Sequence, residues 1–229
     1  MKKIYYEINE DLLDIDEILQ ICTPSSSSWF DSLPVLKQFR SIKNWMQEGL
    51  SKNISNSLPK TAKVCPGIKD LFKHTVLIKL PCDVLLETFS DGRYTWATPN
   101  SDINLNITSH PYFQYTSEKS NLFKDKLQIK FNLPVQLCGD KNLEVIFLNP
   151  YYHKSQPYEI VPGYLKISSS KKSELPLNTF FPITDKVYHF KAGEIIAYMV
   201  VCGDEPKLLP LKKHVKKFTN KVFLGDTYR

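Results

Sequence analysis

YEIVPGYLKISSSKKSELPLNTFFPITDKVYHFKAGEIIAYMVV, residues 158 to 201, decides the fold. Ile160 to Ile167 reads as a strand interrupted by a turn at Pro162 and Gly163. A second apolar run covers Leu177 to Ile183. The third part is a strand around Tyr188 to Phe190, a tight turn at Ala192 and Gly193, and then Ile195 to Val201. That last run is β-branched and aromatic, without charge or proline. A continuous apolar run of this length, bounded by a turn, is the pattern of a strand buried on both faces. The residues before it supply partner strands, and those after it are basic.

Working outward, TVLIKLPCDVLLETFSDGRYTWAT (75 to 98) predicts a strand, a bend at Pro81, a second strand, a turn at Ser90-Asp91-Gly92, and a return through Trp96. An Asp-Gly pair between two apolar runs is a strong hairpin signal. Ile103, Leu105 and Ile107 alternate with polar residues, so one face of that strand is expected to be wet. LQIKFNLPVQLC (127 to 138) and LEVIFLNPYY (143 to 152) read as a further pair around a polar turn at Gly139 to Asn142. About ten closely spaced strands favour a barrel or sandwich over an open α/β sheet.

Nearer the N-terminus, residues 2 to 8 read as a strand with Ile4 and Tyr6 on one face. From Asp11 to Cys22, the spacing of Leu12, Ile15, Ile18, Leu19 and Cys22 predicts a helix. Ser32 begins a second helix, with Pro34 in its first turn and Val35, Leu36, Phe39, Ile42, Trp45 and Met46 along one stripe. Cys65-Pro66-Gly67 opens a third, short one through about His74. The expectation is a mainly β protein: a distorted barrel core at 75–206, two or three helices packed on it from an extension at 1–74, and a basic tail at 207–229. Together these make one compact domain.

Composition agrees. The chain has 229 residues, enough for one large β domain. Fifteen prolines against eight glycines, with twelve Tyr and thirteen Phe, suit short strands and bent connections. No apolar run approaches the roughly 20 residues of a membrane-spanning helix, and the N-terminus lacks the apolar core of a signal peptide. Five cysteines, at 22, 65, 82, 138 and 202, show no C-x-x-C and no disulfide rhythm. They point to a reduced, intracellular setting with mostly buried thiols. The net charge of +6 is concentrated at the C-terminal end, where residues 207 to 229 hold six Lys and one Arg against Asp226. Lys212, Lys213, Lys216, Lys217 and Lys221 are candidate phosphate contacts for a nucleic acid. The alternative is a solvated amphipathic terminus.

Chemistry is sparse. The histidines at 74, 110, 153, 189 and 214 form no H-x-H, H-x-x-x-H or H-E-x-x-H, so no metal ligands are nominated and no cofactor is expected. Neither G-x-S-x-G nor a phosphate-cradling glycine loop occurs. Asp83 interrupts an apolar strand, where a carboxylate needs a partner, a role or a wet face. His110 precedes Pro111 at a strand end, and alternation turns His189 outward between Tyr188 and Phe190. Asp83, His110 and His189 are the catalytic candidates, each with a structural reading beside it.

Several pieces together resemble a family of tailed-bacteriophage proteins, of the kind carried by myoviruses of marine cyanobacteria. They include SWFDSLP (28 to 34), KVCPGIKDLF (63 to 72), VLIKLPCDVLLE (76 to 87), HPYFQ (110 to 114), FNLPVQL (131 to 137), VIFLNPYYH (145 to 153), IVPGYLKI (160 to 167), FFPI (180 to 183) and FKAGEIIAYMVV (190 to 201). The family's W-x-I-x-T-P-P-G is replaced here by Val135 to Asn142. Its G-I-V-D-T-D is replaced by GYLKISS, as in a diverged member. The closing pieces also look like the β-clip fold of trimeric dUTPases and dCTP deaminases, whose last core strand follows a similar F-x-I-x-x-G-D-R-I-A-Q. Gly163-Tyr164-Leu165-Lys166 lacks the aspartate with which that family activates water. The resemblance therefore implies the fold and, by trimerisation, a possible homo-oligomer, but not inherited pyrophosphatase chemistry.

The expected function is a non-catalytic phage protein that binds a phage or host protein, or a small ligand, in the host cytoplasm or the virion and not in a membrane. One alternative is a dUTPase- or deaminase-like enzyme on nucleotides, using Asp83, His110 and His189. The other is a nucleic-acid-binding module using the C-terminal lysines.

Overall fold

The computed structural model describes residues 1–8, 13–23, 32, 62–99, 101–103, 105–109, 123–140, 143–153 and 156–211. The fold is mainly β, as the strand spacing predicts, with a curled, half-barrel sheet. The largest sheet is built on β7 (Lys126–Gly139) and β11 (Ser173–Pro182), which run antiparallel along nearly their whole length. On the other edge of β7, β6 (Asn106–Ser109) and β1 (Lys2–Ile8) pair with successive segments. Beyond β1 lies β14 (Pro206–Pro210), parallel to it, and β9 (Glu159–Ile160) closes the side of β11. A second sheet has the order β10 (Gly163–Ile167), β8 (Leu143–Leu148), β13 (Ile195–Val201), β3 (Thr75–Lys79), β2 (Leu19–Ile21). A third joins β12 (Lys186–Phe190), β4 (Val84–Thr88) and β5 (Tyr94–Ala97).

Proline and register explain the bend in the large sheet. Leu133 pairs with Leu175 but Gln136 pairs with Glu174, so β7 carries extra residues there. Pro134, which has no N–H to give a ladder, sits in this bulge, where a strand tolerates it.

β13 is buried on both faces, as its composition demands. Ala197, Met199 and Val201 join the main core between the sheets. Tyr198 points the other way, into a second cluster with Cys22, Leu77 and Phe72. Phe72 comes from α2 (Pro66–Lys73), which covers the outside of this sheet and begins, as the sequence predicts, at the Cys65-Pro66 step. At the irregularity between Ile195 and Ala197, the Ile196 carbonyl accepts a hydrogen bond from the buried Tyr158 hydroxyl at 2.9 Å.

Two local expectations change. The helix predicted over Asp11 to Cys22 is a single turn, α1 (Ile15–Ile18), started by Asp14, whose N–H donates to Glu17 Oε2 at 2.7 Å. Leu19 turns extended and the chain becomes β2, because pairing with Val76, Leu77 and Ile78 outweighs a local helical period. Residues 127–138 and 143–152 do not pair with each other: β7 and β8 enter different sheets. Gly139 marks the parting, and a Cβ there would lie 2.6 Å from Leu143 Cβ. The tight turn expected at Ala192-Gly193 is present, with Gly193 at φ 76. β12 pairs β4 while β13 pairs β3, so both two-strand ribbons pass from one sheet to the next at a shared corner. The pairing also crosses the boundaries drawn at 74/75 and 206/207, since β1, β2 and β14 are sheet strands. Of the helix expected from Ser32, only Ser32 itself is among the described residues.

Candidate functional site

Of the three catalytic candidates, Asp83 and His189 lie among the described residues. Asp83 sits at the corner, and both its oxygens are engaged: Oδ2 by Lys191 Nζ and Oδ1 by the Ala192 N–H, each at 2.8 Å. Beside it, Gly193 N–H donates to the Leu80 carbonyl and Leu80 N–H to the Glu194 carbonyl. Gly193, at φ 76, makes the tight turn possible. The carboxylate interrupting the apolar run is thus the tie that holds two bending strands together. His189 is exposed on β12 opposite Leu85, while its neighbours Tyr188 and Phe190 are buried, as alternation requires. His110 and the five C-terminal lysines lie outside the described residues.

The tie has a pH signature. Hydrogen bonding by Lys191, then by Ala192, holds the Asp83 carboxyl below its ordinary value of 3.8. A group whose folded pKa is depressed stabilises the fold above its unfolded pKa, and that contribution disappears as pH falls through the folded value. Asp83→Asn is therefore expected to melt below wild type at neutral pH, with the gap closing in acid. Thermal melts from about pH 7 to about pH 2 check this. A gap that persists unchanged in acid would trace the loss to something other than the carboxylate.

A cavity of about 670 Å³ opens where the β4–β5 hairpin meets the starts of β7 and the end of β11. The predicted Asp91-Gly92 turn forms one wall. Gly92 takes φ 81, its N–H donates to the Phe89 carbonyl at 3.0 Å, and Asp91 accepts from Arg93 N–H at 3.0 Å and Arg93 Nε at 2.6 Å. These two bonds, backbone first, hold the Asp91 carboxyl below its ordinary range. The Arg93 guanidinium lies 5.5 Å from the centre of the Phe89 ring, a cation–π distance. Asp185 fastens this hairpin from the loop after β11, accepting from Ser90 N–H at 2.9 Å.

The opposite wall comes from β7 and β11. Ile129 and Phe181 face the core, so their neighbours Gln128 and Phe180, which are register partners, share the other face. The Phe180 ring stacks on that of Phe123 with centroids 4.7 Å apart and planes 16° from parallel. Phe123 has φ 63. A bulky side chain is rare in that region, which costs on the order of 1 kcal/mol and recurs at ligand sites. Gln128 is only 8% exposed, and its Nε2 has no acceptor among the described residues. A buried donor left unsatisfied costs about 1–3 kcal/mol. Lys126 reaches the exposed Glu159 at 3.4 Å. Tyr94, hydrogen-bonded to Ser109, has its hydroxyl pKa raised by burial.

None of these lining residues stands out by motif. The signal present in the sequence was the Phe180-Phe181 doublet: on an alternating strand, one of two adjacent phenylalanines must face away from the core. Gln128 between the inward Leu127 and Ile129 follows the same rule. Elsewhere, among the described residues, no three His, Cys, Asp or Glu side chains gather so as to hold a metal ion. Cys22, Cys82 and Cys138 are buried free thiols, Cys202 is half-buried and Cys65 exposed. No described helix is long and apolar enough to cross a membrane. The sequence matches no protein-family model and no curated protein.

Proposed function

We propose that this chain is a non-catalytic binding protein of a tailed phage, holding a small ligand in the cavity between the β4–β5 hairpin and the β7–β11 ribbon, in the infected cell or the virion. The carrying observation is the cavity itself: about 670 Å³, walled by Phe89, Tyr94, Phe123 and Phe180, with a few polar groups converging on it. Small-molecule sites have this size and this mixture of apolar wall and sparse polar anchors. Asp83, the one carboxylate nominated for nucleotide chemistry, is committed to Lys191 and Ala192. The test has two arms. Native mass spectrometry of the full chain is expected to register a small molecule bound when ligands are offered. Incubation with a panel of deoxynucleoside triphosphates and Mg²⁺ is expected to leave all of them intact, with wild type and Asp83→Ala alike. Turnover by wild type that is lost in Asp83→Ala would replace this reading with the nucleotide-enzyme one.

A further inference from the structure

We propose that two copies of this chain pair through the free edge of β10, continuing the second sheet across a two-fold axis. The ladder fixes which backbone groups face that edge. Cys202 N–H donates to the Glu144 carbonyl at 2.9 Å, so Glu144 turns its backbone groups towards β13 and away from β10. On an antiparallel strand, successive residues direct their N–H and C=O to opposite sides. Leu143, Val145 and Phe147 therefore bond β10, through their register partners Ile167, Leu165 and Gly163. Tyr164 and Lys166, opposite Ile146 and Glu144, send their N–H and C=O outward. β10 ends its sheet, so these groups meet no further strand among the described residues. Both residues are exposed, Tyr164 at 58%.

The outer edges of β14 and β11, by contrast, are blunted by proline. Leu211 N–H donates to the Tyr6 carbonyl and Lys2 N–H to that of Glu205. The odd-numbered residues of β14 thus face β1, and Pro206 and Pro210 face out. On β11, the Asn178 carbonyl accepts from Val161 N–H on the side away from β7, which puts Pro176 on that same side. Proline offers no N–H to an incoming strand, and sheets use it to protect an edge. From Gly163 to Ile167, β10 has no such residue.

The strand is its own complement. With the two-fold axis at Leu165, Tyr164 lies opposite Lys166 of the second copy, and Lys166 opposite Tyr164 of the second copy. Each opposed pair exchanges two backbone hydrogen bonds. The side chains match as well. On the outer face of the sheet, Val200, Ile146 and Tyr164 form one register row, and Cys202, Glu144 and Lys166 the next. Across the axis, each row continues into the other row of the second copy, which brings a lysine ammonium beside a tyrosine ring. A cation beside an aromatic ring is a favourable cross-strand pair, whereas lysine opposite lysine is not. Lys166 Nζ already lies 3.4 Å from Glu144, so no unbalanced charge is carried to the seam. Because the same patch serves both copies, the assembly closes at two.

Sedimentation velocity on the full chain, over a concentration series up to about 1 mM, reads the mass of the assembly. The expected result is a concentration-dependent dimer of twice the 26.5 kDa chain. Lys166→Pro removes an outward N–H and no ladder bond to β8. It is expected to raise the dimer Kd at least about tenfold, with the circular dichroism spectrum unchanged. Should proline at this position disturb the strand, Tyr164→Lys decides, since it leaves the backbone intact and sets lysine against Lys166 of the second copy. The same weakening is expected, partly relieved by high salt. A wild-type chain that stays monomeric throughout the series overturns the proposal. So does a dimer, trimer or larger assembly whose mass and affinity neither variant changes, because another surface then holds it together.

Discussion

Phe181→Ala is expected to destabilise the protein by about 3–5 kcal/mol, the range for truncating a fully buried phenylalanine. Phe181 has no exposed surface. Its ring meets Tyr158 and Tyr188 at 5.1 Å and Phe190 at 6.3 Å between centroids. Those partners come from different parts of the chain. Phe181 belongs to β11 of the large sheet, Tyr188 and Phe190 to β12 of the three-stranded sheet, and Tyr158 to the segment entering β9. The cluster therefore joins two sheets that share no hydrogen-bonded ladder, and a cavity here weakens both sides at once. Part of the cost is the lost transfer free energy of the ring, and part is the void that stiff aromatic neighbours cannot close. Urea denaturation checks the result: the midpoint should fall with little change in slope. A loss below about 1 kcal/mol would mean that the surrounding rings collapse into the gap. Phe180, one residue away, is also buried but lines the cavity.

Stability is expected to fall as pH rises from about 9 towards 12, and the buried Cys22 thiol is one cause. Burial in the cluster with Phe72, Leu77 and Tyr198 raises its thiol from 9.0 to about 12. The unfolded chain releases this proton near the ordinary thiol value, while the folded chain keeps it. A group with a raised folded pKa contributes stability that is fully present below the unfolded pKa and is lost as pH rises through the folded one. Each pH unit in that window removes about 1.4 kcal/mol per group, so the thiol alone accounts for a loss on the order of 4 kcal/mol. Tyr198 acts in the same direction at higher pH. It is 1% exposed, its hydroxyl is raised first by burial, and it contacts His153 Nδ1 at 2.5 Å. Denaturant melts across this alkaline range provide the check, with Cys22→Ala as the comparison. The variant starts less stable because of the smaller side chain, but its curve should be flatter between about pH 9 and pH 11. A wild-type curve that stays level over that interval would rule the mechanism out.

Much of the local structure is legible because it is written in short-range period and turn chemistry. Ile195 to Val201 is a strand buried on both faces because both faces of its sheet are covered, one by the barrel core and one by α2. Asp91-Gly92 makes its hairpin because glycine takes the positive φ that the turn needs. Alternation turns His189 outward and Tyr188 and Phe190 inward. The need of Asp83 for a partner follows from its place in an apolar run, and the carboxylate does find one.

The candidate site was less legible, since its residues come from four segments and none carries a motif. The Phe180-Phe181 doublet says that one ring leaves the core, but not that Phe123, far away in sequence, stacks on it. Gln128 reads as an ordinary outward polar residue until its burial is known. Arg93 reads as part of a turn until that turn is seen to face Lys126 across a cavity.

The β class, most strand positions, the two-faced burial of β13, the hairpin at Gly92 and the helix after Cys65 can all be read from local sequence. These follow from propensities and periods confined to a few neighbouring residues. Tertiary structure alone decided which strands pair. It sent β7 and β8 into different sheets, gave β12 and β13 different partners on either side of the Ala192-Gly193 turn, turned Leu19 to Ile21 from helix to strand, and laid β14 beside β1. Those choices depend on apolar surface and backbone hydrogen bonds shared by residues far apart in the chain, which no local window contains.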